Sequence, residues 1–340
     1  MTDRLPLSYV LPLKAAVADP ELRDHVRWLA DRVAEVIVVD GSAPPIWALH
    51  RSWWGPPVRH VRPDPARECA NGKVWGVLTG LRLAGHDGVV VADDDVRWDL
   101  PGLRRALALL NSADLVAPAN HYDPMPWHAR YDTARTLIHR ALGADWPGTL
   151  ALRRSALTRV GGGYDGDVLF ENLELVRTVE AAGGRAVWPL DLFVLRRAPD
   201  TRHFLGQRVR QAYDEFARPA HLMAALALLP LVAAAVAQRR RGPLLAVLAA
   251  VIAWAEIGRR RGGGTKVYPA SSALLAPLWV LERGVCMWVA LWWRLRGGVP
   301  YAGRRLRRAA TSPRELRRRL LAGQVSTAAA TSPEAVPAHV

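Results

Sequence analysis

Cysteine is nearly absent: Cys69 and Cys286 are the only two in 340 residues, and they fall in unlike regions. No disulfide framework can be built from such a pair, which suits a reducing compartment. No secretory signal is visible, because MTDRLPLSYVLPLK is polar and interrupted by prolines. The segment that follows is accordingly expected in the cytosol. No Gly-x-Gly-x-x-Gly follows the first apolar run, which disfavours a dinucleotide-dependent enzyme. No repeat of fixed period runs through the chain. Acidic residues are scarce in one region only. Residues 219–340 hold 18 Lys+Arg against 4 Asp+Glu, a net of +14, whereas residues 1–218 hold 28 against 27, a net of +1. The excess charge sits beside the long apolar runs rather than on a folded domain. That distribution points away from nucleic acid and towards a membrane surface of anionic lipids.

What is present divides into three parts. Residues 1–217 alternate strand-like and helix-like segments. Residues 8–13 and 36–40 read as buried strands, with a helix-period stretch, 20–34, between them. Val58–Val61 reads as a third strand, 72–84 as a helix, and Gly88–Ala92 as a valine-rich strand ending in three aspartates. Residues 101–110 then read as helix and 114–119 as strand. This alternation predicts an α/β domain with a mostly parallel sheet, whose ligands bind at the carboxyl ends of strands.

Residues 218–296 carry three apolar runs, at 220–238, 243–258 and 269–295, with arginine clusters at 239–241 and 259–261. A spanning helix needs roughly 20 apolar residues, so the first run fits and the second is marginal. The third holds Glu282 and Arg283 near its middle and suits the membrane interface. Residues 297–340 are expected to form a basic, largely disordered tail.

The sharpest chemical signal is Asp93-Asp94-Asp95 at the end of the valine strand. A nucleoside diphosphate is strongly anionic, and a hard cation, Mg²⁺ or Mn²⁺, binds it through carboxylate and phosphate oxygens. Asp93 and Asp95, at i and i+2 on a strand end, are spaced for that task, and the ion acts as a Lewis acid on the departing diphosphate.

Around it stand Val38-Val39-Asp40-Gly41-Ser42, then Asn71-Gly72-Lys73 opening a helix. Later come Gly161-Gly162-Gly163-Tyr164-Asp165 and Glu171-Asn172-Leu173-Glu174. In this order the motifs resemble the family 2 nucleotide-sugar glycosyltransferases over residues 6–215. The resemblance implies a GT-A domain, Rossmann-like with a mostly parallel sheet, followed by C-terminal hydrophobic membrane helices. It further implies that Asp40 contacts the nucleobase, that Asp93 meets the ribose or the metal, and that Asp95 is the principal metal ligand. Lys73 is placed close to the donor.

The sequence departs from that pattern at the base. The family's pair is Glu-Asp, with the aspartate deprotonating the acceptor; here it is Glu171-Asn172, and an amide accepts no proton at neutral pH. Glu171 becomes the expected base, with Glu174 in reserve and Asn172 positioning the acceptor. Gln207-Arg208-Val209-Arg210-Gln211 resembles the Gln-x-x-Arg-Trp box of membrane synthases but lacks its tryptophan. Arg210 is suited to neutralising a diphosphate, with Gln207 beside it on the donor side.

The expected function is inverting transfer of a sugar from a nucleotide-sugar donor to a hydroxyl of a lipid or lipid-linked glycan acceptor, at the cytosolic membrane face. A processive polysaccharide synthase and a non-catalytic nucleotide-sugar-binding protein stand as alternatives, the latter favoured by Asn172.

Overall fold

The computed structural model describes residues 4–143, 145–301 and 303–322. It opens β1 (Leu5–Leu13), α1 (Pro20–Ala30), β2 (Val33–Asp40), α2 (Pro44–Trp53), β3 (Val58–Val61), α3 (Gly72–Leu83) and β4 (Gly88–Ala92). Next come β5 (Val96–Arg97), α4 (Leu100–Leu109), β6 (Leu115–Val116), β7 (Ala119–Tyr122), α5 (Trp127–Leu142) and β8 (Thr149–Arg153). The domain then runs through α6 (Glu171–Ala181), β9 (Ala186–Val187), β10 (Phe193–Arg196) and α7 (Thr201–Tyr213). Last are α8 (Pro219–Ala237), α9 (Arg241–Arg260), α10 (Ala270–Leu274), α11 (Ala276–Leu295), β11 (Val299–Tyr301), β12 (Arg304–Leu306) and α12 (Pro313–Leu321).

A seven-stranded sheet, in the order β3-β2-β1-β4-β8-β6-β9, forms the centre. Its β3-β2-β1-β4 half is parallel throughout, and β8 runs antiparallel to both its neighbours. A small second sheet orders β5-β10-β7. Strand alternation sends Leu7, Tyr9, Leu11 and Leu13 to one buried layer, with Val26 and Leu29 of α1 and Leu103 of α4. Val10 goes to the other, with Val77 and Leu81 of α3 and Val176 of α6. Burial on both faces explains why β4 and residues 36–39 of β2 read as unbroken apolar runs.

Two devices position the cleft end of the sheet. Asn71 caps α3, its side chain accepting from the backbone N–H groups of Lys73 and Val74, and so fixes where Lys73 starts. Gly76 and Gly80 let α3 lie directly on β1: a Cβ at Gly80 would collide with Val10, and one at Gly76 would stand 2.8 Å from Pro12 Cβ.

The C-terminal third departs from the expectation in two places. The third apolar run, expected in the membrane interface, buries Trp279, Arg283, Cys286, Met287 and Ala290 of α11 against the domain. Glu282, next to Arg283 on that run, accepts from Arg208 of α7 at 2.6 Å and from Tyr131 of α5 at 3.2 Å. The basic tail is not disordered over residues 299–301 and 303–322 either. Strands β11 and β12 form a hairpin, Arg308 and Arg319 pair with Asp165 at 3.0 and 3.2 Å, and Leu316 is buried. The rest of that tail, 323–340, lies outside the described residues.

Helix α8 buries none of its residues, and α8 and α9 are both long and apolar enough to cross a membrane. Only Ala255 and Gly258 of α9 are buried, and Gly258 brings that helix against the α5 backbone, where a Cβ would strike the Leu137 carbonyl. Leu278, Leu281, Val285, Trp288 and Trp292 form an exposed apolar stripe on α11 at helical spacing.

Candidate active site

A cleft of about 390 Å³ opens where the strands of the parallel half end. The turn after β4 supplies Asp93, Asp94 and Asp95, α3 supplies Lys73, and the start of α6 supplies Glu171 and Asn172. The end of β10 supplies Arg196, while α7 and the turn after it supply Gln207, Arg210 and Asp214. Lys73 Nζ stands 2.6 Å from Asp93 Oδ1 and 2.8 Å from Glu171 Oε1. Arg196 Nε donates to Asp95 Oδ2 at 2.7 Å, and its Nη2 lies 3.6 Å from Asp93 Oδ2.

The charges hold one another in place. Burial alone would discharge Lys73, but Asp93 and Glu171 overcome it and raise its pKa, so the ammonium is permanent. The same balance, with Asp95 and Asp93 as the opposing anions, applies to Arg196. Burial, and then the charges of Asp95 and Asp93, push Asp94 up to about 6. Asp95 is also raised, by burial first, though Arg196 opposes.

The site fits a hard divalent ion. Its donors are all carboxylate oxygens, and Asp95 Oδ1 is buried with no hydrogen-bond partner. Gly148 leaves the space: a Cβ there would sit 2.7 Å from Asp93 Oδ2 and 3.3 Å from Arg196 Nη1. Asp93 and Asp95 are the residues that would hold the ion.

The other expected residues divide. Asn172 lines the cleft but spends its amide on the Pro147 carbonyl at 2.8 Å. Gln207 lines it beside His203. Arg210 lies over the Tyr301 ring at 5.4 Å, with no carboxylate in ion-pairing reach among the described residues. Its guanidinium is available to an anionic ligand. Gln211, where a tryptophan was expected, accepts from Arg208 at 3.0 Å.

Two expected residues are not brought into the cleft. Glu174 is fully buried and accepts from the Thr311 N–H at 2.6 Å, so it secures the C-terminal segment and is no reserve base. Asp40 is also fully buried. Its Oδ1 accepts from the Ser42 N–H at 2.8 Å, and its Oδ2 faces His50 Nδ1 at 2.8 Å and His60 Nε2 at 3.0 Å. With both oxygens engaged, it presents nothing to a nucleobase.

Sequence reasoning missed Arg196, Asp214 and Tyr301. Arg196 was signalled only by an Arg-Arg pair closing the apolar run Leu192-Phe193-Val194-Leu195. Tyr301 reaches back from the C-terminal hairpin to Asn71 Oδ1 at 3.1 Å, next to Lys73. Asp214 lines the cleft with a buried, unpartnered Oδ1. Burial, and then the charge of Glu171, push its pKa up to about 8, with Arg210 opposing.

No protein-family model and no curated protein matches the chain in sequence. Solved structures do. A mannosyltransferase from Pyrobaculum calidifontis, solved with GDP-Man and Mn²⁺, superposes with a TM-score of 0.51 at 19% identity, over 86% of this chain and 88% of that one. Glucosyl-3-phosphoglycerate synthase from Mycobacterium tuberculosis, solved with Mn²⁺ and UDP-glucose, gives a TM-score of 0.42 at 20% identity, over 62% of this chain and 77% of that one. The parallel half-sheet, the aspartate turn at its edge and the first of these likenesses give the chain the GT-A glycosyltransferase fold.

Proposed function

We propose that the protein is an inverting glycosyltransferase that moves a sugar from a nucleotide-sugar donor to a hydroxyl of a lipid or lipid-linked acceptor, at the cytosolic face of a membrane. The observation that carries this reading is the convergence of Asp93, Asp95, Lys73, Arg196, Arg210 and two further carboxylates, Glu171 and Asp214, in one cleft. The structural neighbour's GDP-Man and Mn²⁺ support a nucleoside-diphosphate donor and a divalent ion here.

A bound Mg²⁺ or Mn²⁺ on Asp93 and Asp95 supplies Lewis-acid stabilisation of the diphosphate. Arg210 adds positive charge on the donor side, where it has no carboxylate partner to compete. Lys73 holds Asp93 and Glu171 in fixed positions. The acceptor hydroxyl gives up its proton, its oxygen bonds to the anomeric carbon, and the electron pair of the broken bond leaves with the diphosphate. Of the two carboxylates available for the proton, Glu171 is tied to Lys73, whereas Asp214 has an open oxygen and a pKa near the working range. Asp214 is the base favoured by this geometry.

The lipid character of the acceptor is supported by a second groove. It measures about 480 Å³, is lined by Val209, Trp293, Val299 and Pro300, and shares Arg210 and Tyr301 with the cleft. The exposed faces of α8 and α11 lie on the same C-terminal part.

Incubating the purified chain with a panel of nucleotide sugars, Mn²⁺ and a polyprenyl phosphate tests the reading. Release of a nucleoside diphosphate that depends on both metal and lipid is expected. No turnover and no binding of any nucleotide sugar would refute it.

A further inference from the structure

We propose that Asp40, His50 and His60 form a second metal site, distinct from the cleft, which takes a single ion of the zinc type. Asp40 ends β2, His50 sits near the end of α2, and His60 lies on β3, which pairs with β2 in parallel. One ligand atom from each falls within 4.8 Å of the others. Both imidazoles aim at the same carboxylate oxygen, Oδ2, while Oδ1 is held by the Ser42 N–H. A monodentate carboxylate with its second oxygen on a backbone N–H is a well-oriented metal ligand.

Three further observations favour an ion over a bare hydrogen-bonded cluster. The first is charge. Asp40 is 0% exposed, His50 1% and His60 9%, and among the described residues no Lys or Arg pairs with the carboxylate. The nearby Arg62 bonds the backbone carbonyls of Ser42 and Asp40 and stacks on Trp47 instead. A buried anion of this kind calls for a cation, and a divalent ion at the meeting point of the three atoms provides one.

The second observation is the anchoring of α2. Its only buried residue is His50, and no side chain caps its start. Trp53 packs half-buried on the core and Trp47 on His60, so His50 is the buried polar tie from α2 to β2. An ion shared with β2 and the edge strand β3 would staple all three elements. The third is shelter: Trp47 stacks on His60 at 5.1 Å, and Trp54 packs on His50 at 5.0 Å and on His60 at 5.6 Å, so aromatic walls surround the ligands.

The donor set selects the metal. Two imidazole nitrogens and one carboxylate oxygen suit zinc, whereas Mg²⁺ and Mn²⁺ prefer the all-oxygen set of the cleft. None of the three residues lines that cleft.

Elemental analysis of the full-length protein, purified without chelator and dialysed against Mg²⁺, tests the proposal. About one zinc per chain is expected, held by the three protein ligands. Chelation should lower the melting temperature, with Zn²⁺ and not Mg²⁺ restoring it. His50→Gln and His60→Gln should lose the zinc, while Asp95→Asn should keep it. That last variant separates this site from the proposed transferase chemistry. Should the histidine variants fail to fold, Co²⁺ added to the chelated wild type decides, through visible bands of a nitrogen- and oxygen-ligated ion. A wild-type protein without zinc, unmoved by chelator and by Zn²⁺, and colourless with Co²⁺, would overturn the proposal and leave a hydrogen-bonded triad.

Discussion

Lys73 and Glu171 meet at 2.8 Å across the cleft, and the same ammonium holds Asp93 at 2.6 Å. The pair comes from the first turns of α3 and α6, so two helix starts are locked together by one cation. On the proposed reading, this pairing leaves Glu171 a positioning role and Asp214 the base. Asp214→Asn is expected to cut the transfer rate by roughly 10²–10⁴, the worth of a positioned general base, with nucleotide-sugar affinity little changed. Glu171→Gln should cost less in rate and should weaken donor binding, because it frees Lys73 to move. Steady-state kinetics with a binding isotherm for each variant separates the two. The opposite ranking returns the base to Glu171.

Asp214 also makes a prediction about stability. Its folded pKa is raised to about 8, mainly by burial, above the unfolded value of about 4. Between those limits the folded state holds a proton that the unfolded chain has released, so this group's contribution falls as pH rises. Asp214→Asn removes that dependence. The variant should melt higher than wild type at pH 9 and differ least at pH 4. Equal melting curves at every pH would show that Asp214 is not desolvated.

At the metal, Asp95→Asn should abolish Mn²⁺-dependent transfer while leaving the fold intact, as judged by circular dichroism. Gly148→Ala places a methyl against Asp93 and Arg196 and should weaken Mn²⁺ dependence without touching any ligand. An effect of roughly 10–100-fold on metal affinity is expected, typical of groups that orient ligands. Full activity of Asp95→Asn in chelator would sink the metal-dependent reading.

How much of this was legible in the sequence follows from where each residue's constraint lies. β4 and its aspartates were readable because a strand buried on both faces must be a continuous apolar run, and Asp93–Asp95 break it abruptly. Lys73 was readable from the cap before it. By contrast, α2 gave little signal, because two prolines open it and only His50 is buried. Asp40 was misplaced because its strand-end position says nothing of His50 and His60, which reach it only through tertiary pairing. Glu174 shares the acidic first turn of α6 with Glu171, yet Thr311, 137 residues further on, claims it. The arginines of the tail looked like a solvated or lipid-binding cluster. Arg308 and Arg319 are instead partners of Asp165, and only the fold brings those segments together.

The membrane prediction turns on Gly258. If α8 and α9 both crossed a bilayer, the arginines at 239–241 would face outward, against the positive-inside bias. The contact of α9 with α5 argues for another arrangement: the C-terminal half of α9 is docked on the domain at Ala255 and Gly258, and we propose that this helix lies at the membrane surface while α8, with nothing buried, enters the lipid. Insertion then comes mainly from α8 and the exposed stripe of α11. The wild-type protein should sediment with membranes, resist release by high salt and dissolve in detergent. Leu231→Asp, which places a charge on an exposed position of α8, should shift it towards the soluble fraction. A cysteine introduced at position 240 should stay unlabelled by an impermeant reagent in intact cells, because a shallow hairpin never carries that turn across. Labelling there would make α8 and α9 a true crossing pair. Free solubility of the wild type would remove the membrane reading altogether.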